Sequence, residues 1–163
     1  MGHRLWHLMP HMHFLSQKEI KGILQQLEQQ FGFHEKLPYV FAKSEKNKIY
    51  IINEDIKNLD RNHIRINSIG MYFGELLDDG IRLSIEGAQM IGPRARLSIA
   101  LLDDREMQEW LRGEDIPNRF DLRGYILIKN KDDFLGCGKA TENKILNYVP
   151  KTRRIRSSME ELG

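Results

Sequence analysis

The chain has 163 residues, of which 40 % are hydrophobic and 29 % charged, with a formal net charge of +2. That is the composition of an ordinary globular protein with material for one medium domain or two small ones, and it excludes a disordered or collagen-like chain. No apolar run approaches the roughly 18 residues of a membrane-spanning helix, and one cysteine, Cys137, rules out an internal disulfide framework. The expectation is a cytoplasmic protein without a membrane partner.

The opening MGHRLWHLMPHMH has no signal-peptide core, because His3, His7, His11 and Pro10 interrupt it. Imidazoles at this spacing invite a metal reading with His13, but Pro10 breaks the shared helix face and no Cys or carboxylate is near. Residues 1–12 are expected to be a flexible leader and no metal site is expected. SQKEIKGILQQLEQQFGF then predicts a helix: Ser16 and Glu19 form a capping box, Ile20, Ile23, Leu24, Leu27 and Phe31 recur at helical spacing, and Gly32 ends it. PYVFAK and KIYIIN, joined by SEKN, predict a hairpin. NEDIKNLD reads as a short helix or turn capped by Asn53.

HIRINSIGMYFGEL predicts a strand with a bend or bulge at Gly70 or Gly74. IRLSIEGAQMIGP predicts a strand passing into a short helix that ends at Gly92 and Pro93, and RARLSIALLDD another strand. DDREMQEWLRGEDI predicts a short acidic helix from an Asp cap to Gly113. Its Asp103, Asp104, Glu106 and Glu109 are the carboxylates nearest to a catalytic cluster, but beside Met107 and Trp110 they read as the wet face of an amphipathic helix. RGYILIKN, DFLGCGKA and KILNYVP predict three closely spaced strands of a small barrel or sandwich.

Charge is unevenly spread. Between Met71 and Asp121 there are eleven Asp and Glu against six Lys and Arg, whereas Leu122 to Arg156 holds nine Lys and Arg against Asp132, Asp133 and Glu142. A local basic surface inside a near-neutral protein points to an anionic partner. The candidate contacts are Lys139, Lys144, Lys151, Arg153, Arg154 and Arg156, with Tyr148 among them as a ring on which a base can stack. The competing reading is a solvated edge strand with a charged tail. GCGKAT is not a nucleotide-hydrolysing phosphate loop, since the first glycine of the G-x-x-x-x-G-K-[ST] spacing is missing and a strand follows. Gly136 and Gly138 are expected to allow a tight strand-to-strand turn or a close backbone approach, with Lys139 at its rim. Cys137 has no nearby His as partner base and reads as a buried thiol.

Three motifs together carry a family likeness: Gly70 with Gly74, then Gly136, Gly138 and Lys139, then Asn147, Pro150, Lys151 and Arg154. Residues 64–156 resemble a PUA domain, the small RNA-binding β-barrel, in the form found as the tail of the Fmu/Sun group of RNA cytosine-5 methyltransferases. The whole chain resembles the stand-alone archaeal proteins grouped with that family, the Nol/Nop/Fmu ribosome-biogenesis proteins. The resemblance implies that the helix holding Gly87 and Ala88 lies beside the RNA groove, where small residues permit close approach; packing by Ile85, Met90 and Ile91 is the other reading of that helix. One departure is plain: the glycine-rich cofactor loop and the Pro-Cys and Thr-Cys motifs of the catalytic domain are not in these residues.

The expected fold is α+β, with a leader at 1–12, a helix-plus-hairpin unit at 13–63, a PUA-like β-barrel at 64–156 and a tail at 157–163. The expected function is non-catalytic RNA binding, to structured ribosomal or transfer RNA in ribosome biogenesis or RNA modification, with no cofactor. The alternative is an adaptor for a pre-ribosomal protein, its acidic 71–121 region meeting a basic partner, or a recognition subunit for a separate RNA methyltransferase.

Overall fold

The computed structural model describes residues 12–53 and 70–156. The N-terminal helix α1, Gln17–Phe31, follows strand β1, Met12–Phe14. It begins as its sequence dictates: the Glu19 amide donates to Ser16 Oγ at 3.2 Å and the Ser16 amide to Glu19 Oε1 at 3.0 Å. It ends at Gly32, whose left-handed φ of 63° lets its N–H close on the Glu28 carbonyl. Ile23, Leu27 and Phe31 are its buried stripe.

The expected hairpin forms as β2, Tyr39–Ser44, paired antiparallel with β3, Lys48–Asn53. Next come β4, Met71–Leu77, and β5, Gly80–Leu83. These strands make one five-stranded sheet in the order β1-β2-β3-β4-β5. The irregularity expected near Gly74 is present as a register shift between Ile49 and Tyr50, opposite it. The outer edge of β5 is covered by Gln30 of α1, whose side chain donates to the Ile81 carbonyl at 3.0 Å and accepts from the Ile81 amide at 2.7 Å. A side-chain amide thus takes the place of a neighbouring strand.

The expected domain boundary between 63 and 64 and the short element expected after Asn53 lie outside the described residues, as do most of the leader and the tail. On either side of that stretch β3 and β4 are hydrogen-bonded neighbours in the same sheet. Met12, the last residue of the expected leader, pairs with Ser44 in β1.

Helix α2, Ile85–Ile91, is capped by Ser84 and runs into a 3-10 turn at Gly92–Arg94. Then come β6, Ile99–Leu101, helix α3, Asp104–Leu111, and β7, Ile116–Pro117. The long pair β8, Gly124–Asn130, and β9, Asp133–Ala140, is followed by β10, Lys144–Leu146. The second sheet has the order β6-β8-β9-β10-β7, with β6 parallel to β8 and the remaining pairs antiparallel. Two sheets, one curled as a half-barrel, with helices around them confirm the α+β class and its PUA-like barrel.

Two expectations about the last strands are corrected. The glycine-lysine stretch is not a turn: Gly136 to Lys139 lie within β9, and the chain reverses at Lys131 and Asp132 instead. Glycine is used there for close packing, since a Cβ on Gly138 would sit 2.6 Å from Trp110 Cη2 and 2.7 Å from Ile145 Cγ2. The Asn-Tyr-Val stretch is not a strand either, because β10 stops at Leu146.

The largest core contains Ile23, Leu27 and Phe31 of α1, Phe41 and Phe73 of the first sheet, and Leu127 and Phe134 of the second. Phe41 and Phe73 meet edge to face at 6.1 Å between centroids. A smaller core gathers Trp110, Ile116, Ile126, Ile128, Ile145 and Val149. Helix α2 sits where the first sheet and β9 come together, and Gly87 is what admits it: a Cβ there would overlap the Phe73 carbonyl oxygen. That oxygen is fixed, because it accepts the Ser84 amide at 2.9 Å.

Alanine is favoured over glycine inside a helix by about 1 kcal/mol, so the sign of each Gly→Ala substitution is decided by space. Gly22, exposed in mid-helix with nothing within 4 Å, gains that preference. Gly87 meets an immovable backbone atom, and overpacking of about 1–3 kcal/mol outweighs it. Urea unfolding should therefore show Gly22→Ala with a raised midpoint and Gly87→Ala with a lowered one. A Gly87→Ala midpoint at or above the parent would contradict the close approach.

Candidate nucleic-acid interface

The basic ending is fastened to the C-terminal end of α3 by Asn147. Its side-chain amide donates to the carbonyls of Trp110 at 2.8 Å and Glu114 at 2.9 Å, its Oδ1 accepts the Val149 amide at 2.8 Å, and its own N–H donates to Asp115 Oδ1 at 2.8 Å. These bonds end β10, because the chain exchanges a sheet ladder for a side-chain clamp. Pro150 then leads into a 3-10 turn at Lys151–Arg153, and the Ile155 amide donates to the Leu111 carbonyl at 2.9 Å.

The sequence-predicted cations fall into three groups. Arg154 is structural: its Nε donates to the Val149 carbonyl at 2.9 Å and its side chain lies over Gly113, where a Cβ would overlap it. Lys139, Lys144 and Arg153 are paired with carboxylates. Lys139 Nζ donates to Asp79 at 2.7 Å, Arg153 Nη1 to Glu86 at 2.7 Å, and Lys144 Nζ lies 3.6 Å from Asp115. Lys151 and Arg156 are exposed and have no ion-pair partner among the described residues. The run from Lys151 to Arg156 is exposed throughout, and it turns at Lys151–Arg153 before extending from Arg154.

Gly87 and Ala88 are both buried. The Gly87 amide is spent on Ser84 Oγ at 2.9 Å, so neither residue presents surface to a ligand. Both take part in packing, the second of the two readings of this helix.

What the fold builds beside the basic turn is a cleft of about 360 Å3, walled by Tyr72, Glu75 and Arg82 of β4 and β5, by the start of α2, by β9, and by Tyr148, Pro150 and Arg153. Tyr148 is 36 % exposed, and the Arg82 guanidinium lies over its ring at 4.2 Å from the centroid. Arg82 also donates to Glu75 at 2.6 Å. Lys48 stands over the Tyr72 ring at 5.7 Å, and burial, more than the Glu75 charge, raises the Tyr72 phenol above its ordinary range. Reading from sequence found Tyr148 and Arg153 but missed Lys48, Tyr72, Glu75, Arg82 and Glu86. These residues come from separate strands and a helix, with no spacing that marks them as neighbours.

Asp79 ties the two sheets together below the cleft. It accepts from Lys139 and, at 2.9 Å, from the Tyr125 hydroxyl, and these bonds, that from Lys139 first, hold its carboxyl below the usual range. Burial first, then the bond to Asp79, raises the Tyr125 phenol. Cys137 is buried, and burial pushes its thiol up to about 12, which leaves no thiolate at neutral pH. The acidic residues of α3 are committed as well: Asp103 and Glu106 form a capping box, Glu106 also holds Arg119 at 2.7 Å, Glu109 holds Arg105, and Asp104 accepts from Asn130. Among the described residues no His, Cys, Asp and Glu group is arranged to hold a metal ion, and no helix is long and apolar enough to cross a membrane. His3, His7 and His11 lie outside them.

Replacing Asn147 by Ala leaves the Trp110 and Glu114 carbonyls and the Val149 amide without these partners in a half-buried joint. At about 1 kcal/mol net per bond, and less than additively, a loss of about 2 kcal/mol is expected. Urea unfolding would show the loss, and hydrogen exchange would show faster exchange at Val149; an unchanged midpoint with unchanged exchange would remove the clamp role.

Residues 99–155 match the family model of the methyltransferase RsmF PUA domain. Over 138 residues the chain is 24 % identical to the ribosomal RNA small subunit methyltransferase F of Aeromonas salmonicida, covering 84 % of this chain and 28 % of that protein. The protein of the same name from Vibrio cholerae (strain M66-2) is 25 % identical over 140 residues, 83 % of this chain and 28 % of its own length. That of Aliivibrio fischeri is 26 % identical over 88 residues, covering 54 % and 19 %. The chain thus spans about 28 % of the length of the first two of these curated relatives. They give no support to the archaeal part of the sequence reading. The C-terminal part of the chain is similar to the PUA domain of methyltransferase RsmF, as its motifs implied, and the matched residues are those that carry α3, the Asn147 clamp and the basic turn.

Proposed function

We propose that this chain binds RNA as a recognition module in ribosomal RNA modification, using the cleft and the basic turn as its contact surface. One observation carries the reading: the residues that match an rRNA methyltransferase PUA domain, 99–155, are those that hold Lys151 out from the surface beside an aromatic cleft. Lysine and arginine supply counterion release to phosphates, and aromatic rings supply stacking to exposed bases. The adaptor reading loses its support, because the acidic residues between Met71 and Asp121 are largely paired with cations of the same molecule or used as caps. Structured rRNA, a methyltransferase as working partner, and a cytoplasmic setting complete the proposal.

The test is RNA affinity at several salt concentrations, with a labelled small-subunit rRNA fragment. Lys151→Ala together with Arg156→Ala removes two cations that have no ion-pair partner among the described residues, without touching the clamp, so the fold should be unchanged. The log–log salt slope should flatten by about one unit per lost contact, and affinity should fall for RNAs of different sequence alike. Equal slope and affinity in the folded double variant would remove this edge from the interface.

The module itself performs no chemistry in this proposal. Support comes from the single cysteine, which is buried and un-ionised, and from the missing cofactor loop. Calorimetry with S-adenosylmethionine should show no saturable heat; a saturable isotherm would make the chain more than a recognition module.

A further inference from the structure

Both guanidiniums of the cleft wall are already bonded to carboxylates. Channels that hold only a nucleic-acid backbone are lined by cations. Of three cations in the wall, Arg82 bonds Glu75 at 2.6 Å, Arg153 bonds Glu86 at 2.7 Å, and Lys48 stands over the Tyr72 ring. A phosphate entering between these pairs meets two carboxylates as well as two guanidiniums, and has to displace a carboxylate from a charge-assisted bond that it merely replaces. An uncharged ligand pays no such repulsion.

The same walls suit a flat ring with N–H groups on its edge. Tyr148 has one face covered by Arg82 and remains 36 % exposed where it lines the cleft, which leaves surface for stacking. Glu75 and Glu86 are acceptors with spare lone pairs, since an ionised carboxylate offers about four acceptor positions. The amino and imino groups of a nucleobase are donors that match them. We infer that the cleft receives one unstacked nucleobase of an RNA strand, stacked on Tyr148 with its donor edge toward Glu75 and Glu86, while the neighbouring phosphates lie on Lys151 and Arg156 outside. This rests on the RNA-binding proposal and adds to it a division of labour: the exposed cations of the turn take the backbone, and the aromatic interior, with both its guanidiniums ion-paired, takes the base.

Two labelled RNAs of equal length and charge test it, one a single-stranded oligocytidine and the other carrying abasic ribose at every position. The intact protein should bind the base-bearing strand about tenfold more tightly or better, the range that stacking of one base supplies. Tyr148→Ala should bring the two affinities together, Tyr148→Phe should keep them apart, and both should unfold in urea like the parent. Equal affinity of the parent for the two strands overturns the inference while leaving RNA binding in place. A preference that survives Tyr148→Ala also overturns it, because the bases are then read elsewhere. Failure to bind either strand overturns the inference and the RNA-binding proposal together.

Discussion

The surface of this protein that faces RNA in our proposal depends on the bonds of one neutral side chain. Asn147 closes the last turn of α3, ends β10 and sets the direction of the chain from Tyr148 onward, through two donor bonds, one acceptor bond and its own amide. Asparagine is suited to this because it carries donors and an acceptor on one rigid group; aspartate would place charge against two carbonyls, and leucine would leave them bare. Everything after it is positioned by consequence. Val149 enters the smaller core, Tyr148 stands at the cleft, and Arg154 folds back over Gly113. The polar joint contributes modest stability, yet it decides which of the basic residues are free.

The electrostatics follow a pattern in which formal charge is a poor guide to available charge. The basic third of the sequence supplies Lys139, Lys144 and Arg153, but each meets a carboxylate from the acidic part. Exposed pairs of this kind contribute little to stability. Their effect is to offset charge internally, so that among the described residues the potential around the basic turn rests on a few groups without a carboxylate partner. The Asp79 contacts with Lys139 and Tyr125 add a mechanical role, joining the loop between β4 and β5 to the second sheet.

Local signals were legible and tertiary ones were not. The capping box at Ser16, the αL stop at Gly32, the β2–β3 hairpin and the acidic helix after Asp103 were all readable, because each is decided within a few residues. Gly136 and Gly138 left a turn and a close approach open, and the choice between them was settled by Trp110 and Ile145, distant in sequence, which press against Gly138 within a strand. Gly87 and Ala88 were open to two readings in the same way, since smallness that would admit a ligand also admits a neighbouring strand, here Phe73 of β4. At the site, Tyr148 and Arg153 stood out for lying in the basic run, whereas Arg82 and Glu75 carry no signature until β4 and β5 pair and bring them side by side. Asn147 was visible as part of a motif, but its role was hidden because its partners lie more than thirty residues upstream.

The pairing of β7 with β10 bears on how the molecule is made. Among the described residues β7 pairs with β10 alone, and the Leu111 carbonyl accepts the amide of Ile155. During synthesis from the N-terminus, α3 and β7 therefore emerge before the groups that complete them, and Trp110 loses the cover of Ile145 and Val149 until those residues have left the ribosome. A chain interrupted anywhere before Asn147 has neither the clamp nor the basic turn. The turn that meets RNA in our proposal is therefore held in place only once Asn147 can reach the carbonyls of Trp110 and Glu114.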